Sequence, residues 1–214
     1  MGSEVAGDMG VEWFRRLGDI PGVTYVTPNG IDRSKLRGAS DRPEVYRFPS
    51  LPPSLSWPTR GGETSQSPAS RSADVDFSEK RAPAVLRRLH ETLELPGEAS
   101  DYHFAIQRVV EELWSRRRRE SLARAQLENL AWLDIELIRA RPETITNEYA
   151  DAHPEQPRFY NVLAFSRLMF FYEREGALLE ALEVAELGMQ FGQQIEAKRD
   201  ELVTRAAALA EDGS

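Results

Sequence analysis

From Val85 to Leu209 large apolar side chains return every three or four residues, and the pattern breaks only at Pro96-Gly97, Pro142 to Pro157, Gly176 and Gly192. That spacing is the period of a helix with one buried face, and several such runs in one chain must bury those faces against each other. Pro83 suits a first helical position, and Val85, Leu86, Leu89 and Leu93 form a stripe that ends at Pro96-Gly97. Ser100 or Asp101 can cap the next helix, along which Ile106, Val109, Val110, Leu113 and Trp114 share a face. Ser121–Ala140 spreads leucine and isoleucine over more than one face, as expected of a central helix touched on two sides, until Pro142 ends it. Residues 101–142 form either one long helix or a hairpin. A turn near Arg119–Ser121 is expected, because an unbroken helix of that length is unusual in a compact domain. Further helices are expected from about Arg158 to Glu175, over Ala177–Phe191 and over Gln194–Ala210, the last with a charged, solvated outer face. The fold class is therefore mainly α, built of antiparallel helical hairpins in a bundle or short superhelix.

Upstream the composition changes. Residues 1–59 read as an irregular arm: a short helix over 11–17, short strands at Val23–Thr27 and Glu44–Phe48, and prolines 49, 52, 53 and 58 that remove backbone donors. From Arg60 to Ala73 the run RGGETSQSPASRSA has no large apolar residue, so residues 60–81 are expected to be a flexible linker ahead of a helical domain at 82–214. Leu51 to Pro58, with Trp57, reads as an extended strap laid on the helices.

The stretch from Phe165 to Gly188 resembles one tetratricopeptide hairpin, within residues 162–193. Phe165, Leu168 and Tyr172 stand at that family's bulky first-helix positions, Gly176 at the turn, and Ala181 and Gly188 at its small second-helix positions. Met169, Ala185 and Gln193 depart from the pattern. The resemblance implies that the first helix lines a concave face, with Leu163, Ser166, Phe170, Glu173 and Arg174 exposed on it as partner-binding residues. Phe170 is then expected either to anchor a partner or to lie under the N-terminal arm.

With no cysteine, thiolate catalysis, disulfides and cysteine-ligated metals are excluded. His90, His103 and His153 stand apart, without metal-ligand spacing, and are expected at the surface or at helix caps. No phosphate loop, dinucleotide fingerprint or nucleophile elbow occurs, so no catalytic residue, metal or cofactor is expected. Met1 to Gly10 lacks the basic and apolar regions of a secretory signal, and no apolar run spans a bilayer, so a cytoplasmic address and no membrane partner are expected. The net charge of -8 is uneven: residues 141–214 hold 7 basic and 14 acidic side chains, against 10 and 10 in residues 81–140. An acidic last third opposes nucleic acid, whose phosphates need Lys and Arg. The leading expectation is thus a protein–protein interaction module, an adaptor or regulatory subunit, with room for a homo-oligomer. The second is a nucleic-acid-associated regulator using Arg116, Arg117, Arg118 and Arg119, a run that otherwise serves a helix C-terminus through its dipole. An enzyme without a recognisable motif ranks third.

Overall fold

In a computed structural model of the chain, the described residues are 12–47, 53–74, 77, 80–146 and 160–212. Among them the order is β1 (Glu44–Tyr46), β2 (Ser54–Thr59), β3 (Gly62–Thr64), α1 (Pro68–Ala73), α2 (Ala82–Leu93), α3 (Ala99–Arg116), α4 (Ser121–Ala140), α5 (Leu163–Glu175), α6 (Leu178–Gln190) and α7 (Glu196–Asp212). The fold is mainly α, with helical hairpins and one small antiparallel sheet ordered β1-β2-β3. No helix among the described residues is long and apolar enough to cross a membrane.

The apolar stripes fall where the spacing places them. Val85, Leu86, Leu89 and Leu93 of α2 meet Ile106, Val109, Val110 and Leu113 of α3 in one core, to which α4 adds Leu127, Leu130, Ala131, Ile135 and Ile138. α4 packs on both α3 and α5, which explains its wide apolar surface. The break between α3 and α4 falls at 117–120, without glycine or proline. There Glu120 turns extended (φ -126, ψ 112), and its carboxylate accepts from Ala82 N at 2.8 Å, capping α2. Arg116, 3.7 Å from Glu120, donates to Phe77 O at 2.8 Å and to Lys80 O, so the turn is held by polar groups that seal the start of α2. Gly176 takes a left-handed conformation (φ 81) that ends α5, as a helix-terminal glycine does.

The arm and linker differ most from expectation. Residues 12–16 are not helical and Val23–Thr27 is not a strand; a 3₁₀ turn covers Leu17–Asp19, and Phe14, Leu17 and Ile20 enter the helical core. Glu44–Tyr46 does form a strand, pairing Glu44 with Ser56 and Tyr46 with Ser54. β2 alternates: Leu55 and Trp57 point inward and Ser54 and Ser56 outward, with Trp57 edge-on to Trp13 at 5.7 Å. The arm is therefore part of the same body as the helices through Phe14, Leu17 and Ile20, while Trp57 is buried against Trp13.

The described part of the expected linker is ordered. Thr59 pairs with Gly62 across Arg60-Gly61, a tight two-residue hairpin turn after which Gly62, at φ 129, opens β3. Ser67 caps α1, accepting from Ser70 N at 2.9 Å, and Pro68 opens it. Ala69 and Ser72 are buried, Ser72 bonding Thr92 at 2.8 Å. Small residues bury little apolar surface, but they let backbones approach closely, and that approach replaces the missing large side chains here. The closest point is Gly97, where an added Cβ would lie 2.8 Å from Ala69 Cβ and 3.0 Å from Asp101 Oδ2. Overpacking a site whose neighbour is itself fixed to the backbone costs about 2 kcal/mol. We expect Gly97→Ala to lower the melting temperature by roughly 4–8 °C; an unchanged Tm by calorimetry would show that α1 is not seated on this turn.

Candidate functional site

The arginine run at the end of α3 divides. Arg116 points inward, holding carbonyls and Glu112 at 2.9 Å, and is a structural residue rather than a phosphate reader. Arg117 folds back, its guanidinium 3.4 Å from the centre of the Trp114 ring and bonded to Trp114 O. The same ring is approached from α5 by Arg167 at 5.3 Å and Arg174 at 5.6 Å. Arg118 and Arg119 are exposed, and Arg117, Arg118, Arg124, Arg174, Phe171 and Glu175 line a hollow of about 350 Å³. Positive charge and aromatic surface therefore meet where the α3–α4 turn abuts α5.

Two carboxylates offset part of this charge. Glu111 accepts from Arg167 at 2.7 Å, and Glu175 pairs with Arg124. Arg117, Arg118 and Arg174 have no carboxylate partner among the described residues. Arg117 shows the strain of this crowding: partial burial, then the charges of Arg174, Arg118 and Arg167, push its pKa down, while Glu111 opposes them. It remains a cation, held in a cluster of like charge.

The face expected on α5 is largely covered. Leu163 is half-buried and its N–H donates to Gln107 at 3.1 Å; Ser166 is half-buried, lining a smaller hollow with Tyr160 and Gln193. Phe170 is half-buried under α7, with Lys198 Nζ 5.7 Å from its ring, so α7 covers it rather than the N-terminal arm or open solvent. Glu173 receives Lys198 at 2.8 Å and Arg205, and these hydrogen bonds hold its carboxyl below the usual range. Lys198 and Arg205 were legible only as part of a solvated outer face; their tie to Glu173 turns that face onto α5. Of the five expected residues only Arg174 is exposed, and it belongs to the Trp114 cluster. The hairpin itself is close-packed at Gly188, where an added Cβ would lie 3.2 Å from Phe165 Cγ.

The histidines also depart from a surface role. His103 is fully buried, its Nδ1 2.7 Å from Asp134 Oδ1, and His103 Nε2 and Asp134 Oδ2 have no partner. Burial raises the Asp134 carboxyl and His103 lowers it in part. The pair joins α3 to α4 inside the core. His90 is half-buried beside the Tyr25 hydroxyl at 3.3 Å, and burial pushes its pKa down. His153 lies outside the described residues. Among the described residues no three potential metal ligands cluster.

Comparison of the chain with family models, with curated proteins and with solved structures gives no match. The site must therefore be judged on its own geometry. Truncating a fully buried phenylalanine costs roughly 3–5 kcal/mol of folding, so the half-buried Phe170 should cost about 2 kcal/mol. We expect Phe170→Ala to show that loss in urea denaturation; wild-type stability would place the ring free of α7.

Proposed function

We propose that this chain is a non-catalytic protein-interaction module, an adaptor or regulatory subunit of the cytoplasm, whose partner presents an acidic segment to the arginine surface around Trp114. The observation that carries the reading is the gathering of Arg117, Arg167 and Arg174 around one indole, with Arg118 in the adjoining hollow, where Arg117, Arg118 and Arg174 have no carboxylate partner among the described residues. Like charges held together cost free energy, and an anionic partner relieves that cost while the aromatic body supplies contact area. Trp and Arg are also the residues that most often dominate binding energy. The resemblance of 162–193 to a tetratricopeptide hairpin supports the same class, because such helical units stack to present binding surfaces. In that case the surface in use is the α3–α4 turn with Arg174, not the α5 face that α7 covers.

Nucleic acid is the second reading, favoured by the same aromatic ring among guanidinium groups, which suits base stacking and phosphate contact. Two facts rank it lower: Arg116 is spent on Phe77 and Lys80, and the last third of the chain is acidic. Titration of a glutamate-rich peptide and of a single-stranded oligonucleotide separates the two. We expect the peptide to bind, and the triple variant Arg117→Glu, Arg118→Glu, Arg174→Glu to weaken it at least tenfold, about 1.4 kcal/mol. Tight, salt-steep oligonucleotide binding that the variant abolishes would instead establish the nucleic-acid reading.

A further inference from the structure

A second basic site lies away from Trp114, in a cavity of about 710 Å³ bounded by the arm, the β2–β3 turn, α1 and α2. Four of its lining residues are arginines, each from a different segment: Arg37, Arg60, Arg71 and Arg88. Two carboxylates also line it. Asp41 lies 3.5 Å from Arg71, and Glu91 is taken by Arg87 at 3.0 Å and by Arg88 at 3.8 Å. Arg37 and Arg60 are exposed and have no carboxylate partner among the described residues. The lining thus carries two positive charges in excess.

Two of the arginines are already positioned. Arg71 donates to Gln66 O at 3.2 Å and Arg88 to Ser72 O at 3.2 Å, and each of these bonds uses one of the guanidinium's five donors. All four cations are guanidinium groups, whose planar forks match the paired oxygens of phosphate or carboxylate. An excess of two charges matches a dianion. Leu36, Pro58, Pro68 and Leu95 supply an apolar wall, which a bare inorganic ion does not need. The volume falls in the range of small-molecule sites, roughly 300–1,000 Å³.

We propose that this cavity binds a small organic phosphate, a phosphate monoester on a sugar- or nucleoside-sized body, with Arg37 and Arg60 closing on the phosphate beside Arg71 and Arg88. Such a ligand ties the arm and the β2–β3 turn to α1 and α2. This site stands independently of the Trp114 surface and of the partner proposed for it.

Calorimetric titration of the full chain tests it with ribose 5-phosphate, glucose 6-phosphate and adenosine monophosphate, against ribose and inorganic phosphate as controls. Vesicles carrying a phosphatidylinositol monophosphate form a separate arm. We expect saturable binding of at least one of the three esters, weaker binding of inorganic phosphate and none of ribose. Arg37→Gln with Arg60→Gln should weaken the ester at least tenfold, with an unchanged circular dichroism spectrum because both side chains are exposed. Arg60→Gln alone should weaken it less, and Arg139→Gln, outside the cavity, should leave it unchanged. Absence of binding for all three esters, equal binding by the double variant, or binding to vesicles alone would overturn the proposal.

Discussion

The contact on which the rest of the fold depends is the approach of three segments at Gly97. Phe14 and Gly97 exchange both backbone hydrogen bonds, at 2.8 and 3.0 Å, so the arm is pinned to the turn between α2 and α3. Directly beneath, the fully buried Tyr102 hydroxyl lies 2.8 Å from Leu95 O and 3.2 Å from Phe14 O. On the other flank Asp101 accepts from Glu98 N at 2.8 Å and from Ser67 at 2.7 Å, which ties the start of α3 to the cap of α1. Burial, and then the Asp101 carboxylate, push Glu98 up to about 7 at the same place. Such a junction is costly to solvate and costly to leave unpaired, so it closes as a unit. Glu94 extends it: its buried carboxylate takes Arg16 at 3.5 Å and Thr27, and its carbonyl takes Arg33 at 3.0 Å. The arm thus has its place fixed, and with it one wall of the arginine-lined cavity.

A second polar lock decides where each arginine of the run lies. With Arg116 and Glu120 turned inward to seal the start of α2, the α3–α4 turn presents Arg118 and Arg119 outward and folds Arg117 back on Trp114. α5 then crosses α3 with Arg167 held by Glu111, and this brings Arg174 to the Trp114 ring. The proposed binding surface is therefore a by-product of how two helix ends are capped. The buried His103–Asp134 pair joins α3 to α4.

The helices were legible because their apolar period and their breakers act locally. α2 and the ends of α5 and α6 at Gly176 and Gly192 follow from Leu, Val, Pro and Gly positions, whereas the α3–α4 turn, which has neither glycine nor proline, was expected only from the length that an unbroken helix would need. α1 was not legible, because Ala69 and Ser72 give no periodic signal and their burial depends on the absence of a side chain at Gly97, 28 residues beyond Ala69. The same limit applies to the site. Four adjacent arginines look equivalent in sequence, and only the carbonyls of Phe77 and Lys80 separate Arg116 from the others. Phe170 looked free because Lys198, 28 residues later, carries no mark of the ring it covers. Arg37, Arg60, Arg71 and Arg88 are scattered over 52 residues, and no spacing rule joins them.

Native-state amide hydrogen exchange at Phe14 and Gly97, read against Ile106 in the middle of α3, tests most directly whether arm and helices are one cooperative body. We expect the Phe14 and Gly97 amides to open with the same free energy as Ile106, and Tyr102→Phe to lower all three together. Exchange at Phe14 and Gly97 that is orders of magnitude faster than at Ile106, and indifferent to Tyr102→Phe, would contradict it.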